Sequence, residues 1–112
     1  MHRLARLPGE TPLQNNTFVE QPTAPVLFLT SAASDLSTVA HVLDNDRHLG
    51  LIWRDKIRGL LLSSLSHPSQ IDHYLSISAK DAKIIVVRLL GGKGHWSYGL
   101  DQLNLWLGNR KD

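Results

Sequence analysis

Val26-Leu27-Phe28-Leu29-Thr30 sets four apolar side chains in a row, with no polar alternation. A strand with one wet face alternates apolar and polar residues. A strand that does not is buried on both faces, as in a parallel sheet covered by helices on either side. Ser31 to Ser34 then form a small-residue turn. Leu36, Val39, Ala40 and Leu43 follow at i, i+3, i+4 and i+7, the spacing of one helical face. Ser34 or Asp35 is expected to cap that helix, and Asn45-Asp46 to end it.

The same alternation continues downstream. Ile57–Leu62 (IRGLLL) reads as a second strand. His67-Pro68 opens a second helix, with Pro at the first helical position and Ile71, Tyr74, Leu75 and Ala79 on its apolar face. Ile84–Leu90 (IIVVRLL) holds six apolar residues of seven and gives the strongest strand signal. A Gly91-Gly92-Lys93-Gly94 loop follows, and Trp96, Leu100, Leu103 and Leu107 mark a third amphipathic helix. Residues 45–56 admit a helix extension, a strand or a covering loop for Leu49, Leu51, Ile52 and Trp53.

Strand and helix in threefold alternation predict βαβ units and a parallel sheet. Right-handed crossovers in strand order 2-1-3 cover both faces. The fold class is therefore α/β: a small three-layer, flavodoxin-like parallel sheet over residues 26–112. Residues 1–25 carry Pro8, Pro12, Pro22 and Pro25 with Gly9, Asn15 and Asn16, and read as an irregular N-terminal segment. Short extended pieces at His2–Arg6 and Thr17–Gln21 could pair there as an edge hairpin.

Composition narrows the function. The 112 residues make one small domain. Twelve basic against ten acidic residues give a net charge of +2, with no Lys/Arg run to suggest nucleic acid. The longest apolar runs fall far short of the ~20 residues of a membrane span, and no signal peptide is expected. Cysteine is absent, which excludes thiolate chemistry and fits a cytoplasmic protein. No pair among the six His has helical zinc spacing. Asp46-Arg47-His48-Leu49-Gly50 falls one residue short of a cobalamin-binding D-x-H-x-x-G. No nucleophile elbow or paired carboxylates occur, so neither catalytic residues nor a metal site are expected.

One location stands out. In open α/β sheets ligands bind at the carboxyl ends of strands, where the strand order reverses. Order 2-1-3 brings Ser31 and Asp35 beside the loop of Gly91, Gly92, Lys93, His95, Trp96 and Tyr98. Donors and flat rings there suit an anionic or planar ligand, or a protein interface. The glycines fit neither the P-loop nor the dinucleotide fingerprint, so no nucleotide cofactor is expected. Arg88 interrupts an apparently buried run and is expected to form a structural ion pair, with Asp35 or Asp101 as partner.

Three segments together resemble a family. Val26 to Ala32 with Asp35-Leu36, the stretch Ile84–Tyr98 followed by Gly99-Leu100, and the opening Met1 to Ala5 with Pro8-Gly9 and Val19-Glu20-Gln21 are similar to the CobN-type large subunit of aerobic cobaltochelatase. That subunit is related to the porphyrin-binding subunit of magnesium chelatase. The most specific string is R-L-L-G-G-x-x-x-W-x-Y-G-L, from Arg88 to Leu100. Residues 45–56 depart from the short Pro-rich connection of the family.

The resemblance implies ATP-dependent insertion of cobalt into a corrin ring, a ligase reaction forming nitrogen–metal bonds in cobalamin biosynthesis. Cobalt and ATP belong to the full complex, with ATP hydrolysed by AAA+ partner subunits. The family's chain is far longer, so the resemblance implies an N-terminal segment without activity of its own. Its role would be scaffolding or tetrapyrrole handling, and its partners the remainder of the large subunit. A protein-interaction or self-association module sharing the fold is the alternative. A three-strand sheet leaves an open edge. Leu105 and Trp106 lie off the inner stripe of the third helix, so an exposed interface patch is expected around them.

Overall fold

A computed structural model describes residues 18–91 and 96–110. Three parallel strands form one sheet: β1 (Val26–Thr30), β2 (Ile57–Leu61) and β3 (Ile84–Arg88), in the order β2-β1-β3. Val26 lies beside Ile57 on one side and Ile84 on the other, and both ladders run five residues without a slip. The helices are α1 (Ala33–Asn45), α2 (Arg47–Trp53), α3 (Pro68–His73), continued by a π-helical turn at Tyr74–Ser78, and α4 (Ser97–Asn109).

Period-two geometry sorts the side chains of β1. Leu27 and Leu29 face one side with Leu60, and meet Leu65, Ile71, Tyr74, Leu75 and Leu103 of the α3–α4 layer. Phe28 faces the other side with Ile57 and Leu61, against Leu36, Ala40 and Leu43 of α1. The result is the expected three-layer α/β sandwich. Each fully buried aliphatic residue contributes about 1.5–3 kcal/mol by leaving water, so Leu27, Leu29 and Leu60 anchor the fold.

Local chemistry sets the element ends. Pro68 opens α3, the His67 side chain accepts the Ser69 N–H at 3.3 Å, and Gln70 Oε1 accepts the His67 N–H at 3.0 Å. The cap expected from Ser34 or Asp35 on α1 is absent. Ala32 holds the cap position without a side-chain bond, because the Asp35 carboxylate is engaged by Thr30 and Arg88. Residues 47–53 resolve as α2, capped by Asp46, whose Oδ1 accepts the Leu49 N–H at 3.1 Å. This fourth helix docks on the end of α1, where Arg54 Nη2 donates to the Leu43 carbonyl at 3.0 Å.

Four expectations change. The second and third strands end at Leu61 and Arg88, earlier than Leu62 and Leu90. β3 is the most exposed strand, because α1 covers β1 and β2 but leaves Ile84 and Val86 uncovered. On α4, Trp106 packs against the core and Leu107 is exposed, the reverse of the expected stripe. Finally, the buried guanidinium belongs to Arg58, whose Nη1 donates to the carbonyls of Arg54 (3.1 Å) and Ile57 (2.9 Å); Arg88 is half-exposed. The piece at His2–Arg6 lies outside the described residues, as does Thr17, and Phe18–Gln21 forms no strand.

Trp96 fixes the start of α4. It is buried, its indole N–H donates to the Leu65 carbonyl at 3.0 Å, and its ring lies against Gly99. A Cβ at Gly99 would stand 2.1 Å from the ring, whereas one at Gly108 would meet nothing within 4 Å. Gly99→Ala is therefore expected to destabilise by about 1–3 kcal/mol through overpacking, although Ala is the better helix former. Gly108→Ala should stabilise by about 0.5–1 kcal/mol. Urea unfolding of the two variants checks both signs, and a stabilised Gly99→Ala would refute the packing.

Candidate functional site

Parallel strands all finish at the same rim, so their following loops meet there. The segment after β1 is joined directly to the end of β3. Ser31 N–H donates to the Arg88 carbonyl at 3.1 Å, and Ser31 Oγ accepts the Leu90 N–H at 2.9 Å. Thr30, fully buried at the end of β1, donates from Oγ1 to Asp35 Oδ2 at 2.7 Å and accepts the Ala32 N–H at 3.1 Å. Arg88 Nη1 pairs with the same Asp35 oxygen. Arg88 is thus the structural ion pair expected, with Asp35 rather than Asp101. Thr30 was not singled out in the sequence, yet its hydroxyl connects strand, turn and carboxylate.

Beside this stitch lies a cleft of about 390 Å³. Ser31 contributes from the turn after β1, Leu62, Ser63 and Ser66 from the segment after β2, Ile71 from α3, and Leu89 from just past β3. Trp96, Ser97, Tyr98 and Gly99 close it from the start of α4. Trp96 at the cap position supplies no side-chain acceptor to the first-turn N–H groups of α4. Tyr98 stands at the rim, with its hydroxyl 3.4 Å from both Asp72 carboxylate oxygens. Desolvation, and then the Asp72 charge and hydrogen bond, push the phenol above its ordinary range. It stays protonated at neutral pH and remains a donor.

The predicted site residues divide into three sets. Ser31, Trp96 and Tyr98 meet at the cleft. Asp35 and Arg88 form the stitch behind it. Gly91 adopts φ 94°, a left-handed conformation that favours glycine, while Gly92, Lys93 and His95 lie outside the described residues. Leu105 is exposed, but Trp106 packs inward under the Arg110 guanidinium, 4.5 Å from its ring centroid, which removes it from the expected patch. Sequence reasoning missed Ser63, Ser66, Ser97 and Asp72. The third loop, after β2, reaches the same rim by the same parallel geometry, and Ser63 and Ser66 could have been found from that.

The described lining combines hydroxyls, a phenol and apolar walls. Among the described residues no three His, Asp or Glu side chains gather closely enough for a metal ion. No described helix is long and apolar enough to cross a membrane.

Comparison with known proteins gives one informative relative. The chain is 39% identical over 84 residues to the aerobic cobaltochelatase subunit CobN of a Sinorhizobium species. That stretch is 75% of this chain and 6% of the relative, so the chain spans only a small part of that protein's length. No family model matches, and no solved structure does.

The stitch has a pH signature. The Thr30 hydroxyl, then the Arg88 guanidinium, hold the Asp35 carboxyl below its ordinary value of 3.8. A group depressed on folding stabilises the native state above its unfolded pKa. That contribution is lost as pH falls below 3.8 and through the lower folded value. Thr30→Val removes the leading cause, so its stability should fall less steeply with acid than that of the wild type. Denaturant midpoints measured across that range check this, and an unchanged acid slope would show that the hydroxyl does not hold the carboxylate.

Proposed function

We propose, for a chain three quarters of which is a CobN-type segment, that it serves as a scaffolding and tetrapyrrole-contacting domain of an aerobic cobaltochelatase. The observation that carries this reading is the 39% identity over 84 residues, which reaches across most of the described fold. In this reading cobalt is the substrate ion and a corrin ring its acceptor. Separate AAA+ subunits hydrolyse ATP, and the remainder of a large subunit builds the insertion cavity. The chain alone is inactive.

Size limits what the cleft does. Small-molecule sites run to about 300–1,000 Å³, and this one, at about 390 Å³, is at the small end. It takes one edge of a macrocycle rather than the whole ring. Apolar contact comes from Leu62, Ile71 and Leu89. The Tyr98 phenol and the Ser31, Ser63, Ser66 and Ser97 hydroxyls meet polar groups on the periphery of the ring, and the sequence offers Lys93, three residues before Trp96, as a cation for a carboxylate. The Trp96 N–H is already used by Leu65, so Trp96 acts as a wall and as support for α4.

Because Trp96 lines the cleft, its fluorescence reports occupancy. A metal-free corrinoid titrated into the protein should quench the emission. Tyr98→Ala and Lys93→Ala should each weaken binding by on the order of tenfold, equivalent to about 1.4 kcal/mol. Unchanged affinity in both variants, with circular dichroism unaltered, would remove the tetrapyrrole role and leave scaffolding. Trp96→Ala does not serve here, because it empties part of the core.

A further inference from the structure

Among the described residues, β3 leaves one edge of the sheet unfinished. There it pairs with β1 alone, and parallel geometry fixes which of its peptide groups are used. Ile84 N–H donates to the Pro25 carbonyl at 3.0 Å, and the Arg88 carbonyl accepts from Ser31 at 3.1 Å. Ile84, Val86 and Arg88 therefore turn their peptide groups toward β1, and Ile85 and Val87 turn theirs outward. On the α1 side, Ile84 is 57% and Val86 46% exposed. Within the strand itself the usual devices that blunt an edge are missing. The strand has no Pro and no bulge, and its one charge, Arg88, is already paired with Asp35. The other edge is treated differently. Gln21, itself buried, donates from Nε2 to the Gly59 carbonyl of β2 at 3.0 Å.

We propose that a second copy of this chain docks on the β3 edge. The two β3 strands run antiparallel about a two-fold axis at Val86, joining the sheets into one of six strands. In this register Val86 faces its own copy, Ile85 faces Val87, and Ile84 faces Arg88. Only the outward peptide groups of Ile85 and Val87 are used, as hydrogen-bonded pairs on either side of the axis. The charges agree with it. Arg88 meets Ile84, along which its aliphatic stem can lie, and Lys83 meets Leu89, so no cation faces a cation. In-register parallel pairing would instead set Arg88 against Arg88. Gln21 occupies the far edge, so association closes at two copies instead of continuing as a fibre.

The test uses the full chain in sedimentation equilibrium, at concentrations on the order of 1–300 µM. The wild type should shift with concentration toward twice the chain mass of 12.5 kDa. Val86→Lys places two ammonium groups at the axis and should remain monomeric. The exposed Leu105→Lys on α4 should dimerise like the wild type. Circular dichroism verifies folding of both variants. In the dimer, exchange of the Ile85 and Val87 amides should slow by on the order of tenfold with rising concentration. A wild type that stays monomeric, as it would if the edge were built for a strand of another polypeptide, overturns the proposal. So does a Val86→Lys variant that dimerises normally, or a Leu105→Lys variant that does not. No tetrapyrrole enters this experiment, so its failure leaves the reading of the cleft intact.

Discussion

β1 must satisfy four neighbours at once. It has a hydrogen-bonded ladder on each edge and an apolar layer against each face. A five-residue strand can meet that demand only if nearly every side chain is apolar and its polar end is internally bonded. Leu27 and Leu29 fill one layer, Phe28 the other, and Thr30 spends its hydroxyl on Asp35 and Ala32. The positions of the helices follow from this strand. α1 returns over one face to reach β2, and α3 and α4 occupy the other.

The carboxyl rim inherits its order from the same place. Thr30, Asp35 and Arg88 tie the first and third strand ends together, and Ser31 adds two bonds to the tie. With the rim held, the cleft beside it is lined by rigid elements: the turn after β2, the first turn of α4 and the end of β3. Trp96 supports the start of α4 and forms a wall of the cleft together.

The sequence was legible where a local rule had no competitor. VLFLT is a strand on both readings, and Pro68 opens α3 with its capping box. It misled where a local rule met a stronger partner. Asp35 looks like a helix cap, but a guanidinium and a hydroxyl outbid the helix amides. IIVVRLL looks doubly buried, but α1 stops short of it. Leu107 and Trp106 lie one residue apart on α4, and the larger side chain took the inward position, packed against the core under Arg110.

By itself the sequence determined the parallel three-strand sheet, its order, and the place where Ser31 and Tyr98 would meet. Those follow from apolar runs, helical periodicity and the handedness of crossovers, all of which act within or between consecutive segments. The tertiary structure alone decided which carboxylate Arg88 would take, that the loop after β2 would line the same cleft, and that Trp96 would turn its N–H into the core. The Arg88 and Trp96 contacts join residues 53 and 31 positions apart in the chain, and packing sets such distances where periodicity cannot.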